Sequence, residues 1–104
     1  MNKQTKLPLI HPGEILNEEF LKPLRMSMNG LAAELKVPTN RITQIVSGER
    51  SVTAETALRL ARYFGTSPEF WLNLQARFDL ESARDAHEQR ISSQVRPRNT
   101  AAAL

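Results

Sequence analysis

A chain of 104 residues is long enough for one small domain with a single core, and 40% hydrophobic against 24% charged residues is an ordinary globular balance. The lack of cysteine excludes a disulfide framework, a thiol nucleophile and a cysteine-based zinc site, and no run of about 18 apolar residues is present to cross a bilayer as a helix. The net charge of +3 permits nucleic-acid binding without requiring it; residues 26–65 hold five Lys and Arg against three Glu, whereas residues 66–104 are balanced.

Residues 1–10 show no helical period and include Pro8, which predicts a flexible N-terminal arm carrying Lys3 and Lys6. Its apolar part is too short for a signal peptide, so the chain reads as soluble and cytoplasmic. His11, Pro12, Gly13 and Glu14 mark a helix start: proline suits the first turn, and the carboxylate complements the positive end of the helix dipole. Leu16, Phe20, Leu21 and Leu24 recur at helical spacing as a core face, and Pro23 is expected to close the helix. Ser27 or Asn29 can cap a second helix whose buried stripe is Leu31, Ala32 and Leu35.

Lys36, Val37 and Pro38 form a turn, and a third helix runs from Pro38 to Ser47, with Gly48 suited to a left-handed C-cap. Ile42, Ile45 and Val46 share one face of this helix, and Thr39, Asn40, Thr43 and Gln44 share the other. Thr53 caps a fourth helix with a core face of Ala57, Leu58, Ala61 and Phe64, ended by Gly65. Ser67, Pro68 and Glu69 are a strong start signal for a fifth helix carrying Phe70, Trp71, Leu74 and Phe78. Residues 81–93 read as a helical extension and residues 94–104 as a disordered tail. The expectation is an all-α bundle of five helices, a sixth left open at 81–93, with residues 11–80 as the domain.

The two short helices across residues 31–48 carry the functional signal. The outward set Thr39, Asn40, Thr43 and Gln44 is uncharged but rich in hydrogen-bonding groups, as reading base edges in a major groove requires. Asn and Gln amides both donate and accept, so each can bond an adenine edge twice, and Thr methyls can pack on a thymine methyl. Arg41 and Arg50 are the phosphate candidates, with Asn29, Ser47 and Ser51 as neutral helpers. The plainer alternative is a solvated polar helix face. One reading helix touches few base pairs, so a two-fold dimer reading half-sites roughly 34 Å apart is expected. Phe70, Leu74 and Phe78 are its interface candidates, while Trp71 is assigned to the core.

Catalysis finds no footing. His11 and His87 have no ligand spacing, adjacent Glu18 and Glu19 point apart on a helix, and no glycine-rich phosphate loop occurs. No catalytic residue, metal or cofactor is expected.

The order HPGEIL, LAAELKVPTNRITQIVSGER, ALRLARYFG and SPEFWLNLQ resembles the HigA/VapI-type antitoxins, members of the Cro/repressor-like (XRE) helix-turn-helix family, over roughly residues 11–80. The resemblance implies a homodimer that binds operator DNA, neutralises a small ribonuclease toxin encoded beside it and represses the shared operon. It also maps Thr39, Asn40, Thr43 and Gln44 onto positions that face base edges. Pro38 departs from the pattern, which often has a capping Ser or Thr there. Two alternatives stay open: a stand-alone transcriptional regulator without a toxin, and a toxin-binding module whose DNA-binding face is vestigial.

Overall fold

Most helix ends sit on a local signal. The computed structural model describes residues 9–99, and among these it contains five helices and no strand. Ser27, Thr53 and Ser67 each accept, through the side-chain oxygen, the backbone N–H three residues on, and so cap α2 (Met28–Leu35), α4 (Ala54–Phe64) and α5 (Pro68–Gln94). Ser27 rather than Asn29 is therefore the cap of α2. Left-handed Lys36, Gly48 and Gly65 turn the chain out of α2, α3 (Thr39–Val46) and α4. Residues 1–8 of the expected arm and 100–104 of the expected tail lie outside the described residues; Gln94 still belongs to α5, and 95–99 are exposed and without regular secondary structure.

α1 occupies residues 12–24 as one continuous helix in three parts: a turn of α-helix at Pro12–Ile15, a wider π-helical stretch at Leu16–Leu21 and a last turn at Lys22–Leu24. Pro23 does not close it. The Lys22 N–H reaches five residues back to the Asn17 carbonyl, and this widened turn makes room for a proline ring that also lacks an N–H. Arg25, left-handed at φ 53°, ends the helix, and the Met26 N–H bonds the Leu21 carbonyl at 2.9 Å. The π stretch also moves the buried face. Leu16 and Leu21 are buried and Phe20 packs on the core, but Leu24, one regular turn too late, is 59% exposed.

The core joins Leu16 and Leu21 of α1, Leu31 and Leu35 of α2, Ile42 and Ile45 of α3, Val52 from the following loop, Leu60 of α4 and Trp71 of α5. Trp71 is fully buried, and its indole N–H donates to Thr66 Oγ1 at 2.8 Å, which removes the cost of burying that donor. On α4 the buried stripe is Thr56, Ala57, Leu60 and Ala61; Leu58, expected inside, is exposed. The true stripe follows i, i+4, i+5 from Thr56, one position away from Leu58. α5 runs without a break to Gln94, although from Ala83 onward it is exposed on every side. Among the described residues, no helix is long and apolar enough to cross a membrane.

Candidate nucleic-acid interface

The back of α3 is fixed by α1. Ile42 and Ile45 are fully buried, and Gly13 lies so close beneath them that a Cβ there would overlap the Ile45 carbonyl oxygen and sit 2.6 Å from its carbon. Only glycine fits, because the neighbour is backbone and cannot swing aside. In the sequence Gly13 is only part of a helix start, and a Pro-Gly pair within a first turn is the available signal of this contact. Beside it, the His11 side chain caps α1, its Nδ1 accepting the Gly13 N–H at 2.9 Å. The ring stands edge-on to Phe78 of α5, centroids 4.9 Å apart. Burial pushes the His11 imidazole below its ordinary pKa of 6.5, partly opposed by the Asp79 carboxylate. A neutral ring agrees with Nδ1 acting as an acceptor.

The ends of α3 are held as firmly. Pro38 precedes the helix in extended conformation and offers no side-chain cap. In its place, the Thr39 hydroxyl donates to Asn29 Oδ1 at 2.6 Å, tying the first turn of α3 to the first turn of α2. Arg59 of α4 donates to the Leu35 carbonyl at 2.8 Å, satisfying the end of α2. After α3, the buried amide of Gln75 accepts the Val52 N–H at 2.7 Å through Oε1 and donates to Asp79 through Nε2 at 3.0 Å. Gln75 thus pins the loop behind α3 to α5. Nothing in its polar identity signalled this, since the partner is a loop N–H 23 residues away.

The expected outward set is brought together on one face. Thr39, Asn40 and Thr43 are exposed and Gln44 is half-buried. The Thr43 hydroxyl donates to the Asn40 carbonyl at 3.2 Å. Gln44 Oε1 accepts from Arg50 Nε at 2.9 Å. Asn29, Ser47, Arg50 and Ser51 surround this face and are exposed; the Ser47 hydroxyl donates to the Gln44 carbonyl. Arg41 is placed differently. Its guanidinium leans on Glu55 of α4 at 3.5 Å. A hydrogen bond from Arg59, its charge and that of Arg41 hold the Glu55 carboxyl below its usual range.

On α5, Phe70 is 38% exposed, whereas Leu74 is half-buried against the core and Phe78 half-buried against His11. Among the described residues, no three His, Asp or Glu side chains converge as a metal site. The arrangement is a rigid polar helix face with basic flanks, suited to a grooved, anionic partner.

Comparison with known proteins agrees with this geometry. A family model described as helix-turn-helix matches residues 18–71, from α1 to the start of α5. The chain is 51% identical over 80 residues to virulence-associated protein I of Dichelobacter nodosus, spanning 77% of this chain and 74% of that protein. It is similar in structure to an addiction module antidote protein of a HigA family from Coxiella burnetii, with 52% identity, a TM-score of 0.84, and coverage of 88% and 100% of the two chains. It is likewise similar to Pseudomonas aeruginosa antitoxin HigA solved with the higBA promoter, with 42% identity, a TM-score of 0.84, and coverage of 86% and 98%.

Proposed function

Because the chain belongs to the HigA-type branch of the helix-turn-helix family, we propose that it is a cytoplasmic antitoxin, a homodimer that neutralises a partner ribonuclease and represses the operon encoding both. The family is one of DNA-binding proteins rather than enzymes. The observation that carries the reading is the outward face of α3. Thr39, Asn40, Thr43 and Gln44 stand together on a helix whose back is locked against Gly13. A base-reading helix needs this rigidity, because hydrogen bonds to base edges discriminate only when the donors and acceptors are held in place.

The flanks supply the backbone contacts. With its oxygen taken by Thr39, Asn29 keeps its amide N–H groups for a phosphate oxygen. Arg50 and Ser51 lie on the same rim, and Arg41 reaches DNA by exchanging Glu55 for a phosphate. Exposed Phe70 with neighbouring Leu74 and half-buried Phe78 is the surface on which two copies meet. Two α3 helices then read half-sites one DNA turn apart. A relative solved with its promoter supports DNA binding by a chain of this fold.

The test is binding of the full chain to duplexes from the DNA upstream of its own gene, read by fluorescence anisotropy, with sedimentation of the free protein. A dimer that prefers its upstream DNA over a scrambled duplex is expected, and Gln44→Ala should weaken that complex by about 1–3 kcal/mol. Equal affinity for both duplexes would leave only the toxin-binding role. Co-expression with the product of the neighbouring gene separates antitoxin from stand-alone regulator: rescue of growth and co-purification are the antitoxin result.

A further inference from the structure

We infer that Gln44 and Arg50 act as one reader that presents only hydrogen-bond donors to DNA, and that it selects a guanine at one base pair of the operator. The inference rests on the proposal that α3 lies in a major groove. Arg50 is folded back on α3 twice. Its own N–H and that of Glu49 donate to the Gln44 carbonyl at 3.1 and 2.8 Å, and its Nε donates to Gln44 Oε1 at 2.9 Å. Gly48, left-handed at φ 84°, lets the chain reverse tightly enough for this.

The chemistry then follows from what arginine lacks. A guanidinium has no acceptor, so the oxygen end of the Gln44 amide is the end that faces it, and Nε2 is left as two donors. Arg50 is exposed, and its Nη1 and Nη2 hold no partner among the described residues, so they form a second, forked donor beside the first. An adenine edge sets the N7 acceptor beside the N6 donor and needs an amide that gives both. Two adjacent acceptors, N7 and O6, occur on guanine alone in the major groove, and the arginine fork matches them. Arg50 thereby moves from the backbone rim, where its charge alone would place it, to the reading face.

The test uses the full chain and a duplex library with a randomised central segment, followed by binding to the selected duplex with each guanine replaced in turn by 7-deazaguanine or by adenine. One guanine should be sensitive, the wild-type protein losing roughly tenfold or more in affinity there. Arg50→Ala should abolish that difference. Arg50→Lys, which keeps the charge but not Nε or the fork, should retain non-specific affinity and still lose the discrimination. Gln44→Met, which removes the tether, should reduce the discrimination. If Arg50→Ala weakens all duplexes equally, Arg50 is a phosphate contact and the inference is overturned; a wild-type preference for adenine at that pair overturns it as well. Selection of no sequence at all would overturn the operator reading itself, and the donor pair with it.

Discussion

α3 and the far half of α5 are helices held by opposite means. α3 has eight residues, too few to be stable alone, yet its back meets α1 at Gly13, its start is tied to Asn29 and the loop after it is pinned by Gln75. The stretch of α5 beyond Ala83 is longer but exposed on every side, with local support such as the Arg84–Glu81 pair at 2.9 Å, which is worth a few tenths of a kcal/mol. The difference teaches where rigidity has been placed. A surface that must discriminate between chemical edges is built on tertiary contacts, and the extension is left to helix propensity.

The contrast can be broken most severely at Gly13. Gly13→Ala should cost about 3 kcal/mol or more, because the methyl group meets backbone that cannot repack. Thermal unfolding measures the loss, and an unchanged midpoint would show that α1 and α3 do not meet as closely as described. Next comes Gln75→Leu, which leaves the buried Val52 N–H without an acceptor and should cost about 1–3 kcal/mol. Loss of operator affinity at a temperature where the variant is still folded would further locate Gln75 behind the reading helix.

A smaller effect follows from acid. The folded-state pKa of His11 lies below 6.5, so the unfolded chain binds more protons in the window beneath that value. The stability that His11 contributes is therefore complete above pH 6.5 and is lost as pH falls from there through the lowered folded value. Chemical denaturation at pH 7.5 and 5.5 should show this loss, and His11→Asn, which keeps a capping acceptor but does not titrate, should flatten it. The smallest effect belongs to the extension. Truncation after Ala83 should change the unfolding free energy by no more than about 0.5 kcal/mol, and amides of the exposed stretch should exchange quickly in the intact protein. A large loss of stability would show that the extension supports the domain.

Reading the residues in order recovered the elements that are governed locally. Thr53 and Ser67 cap where a side-chain oxygen precedes free N–H groups, Gly48 and Gly65 take the left-handed turns, and α3 shows both its faces because its period is an undisturbed 3.6. Leu24 and Leu58 were misplaced for two distinct reasons. A π-helical stretch breaks the period on which Leu24 was counted, and Leu58 sits one step from a stripe that packing, not spacing, selected. The site was legible as a set of types and not as a set of partners: Thr39, Asn40, Thr43 and Gln44 share a face as expected, but that Thr39 is bound to Asn29, Gln44 to Arg50 and Arg41 to Glu55 was not visible.

The sequence by itself determined where most helices begin, where α3 and α4 end and which face of α3 stays polar, since caps, turns and periodicity act within a few residues. The tertiary structure alone decided that Gly13 must lack a side chain, that Gln75 must accept from Val52 and that Arg50 bends back to Gln44. Those depend on which atoms arrive beside one another after the chain has folded, and a contact between residues distant in sequence leaves no periodic trace in either of them.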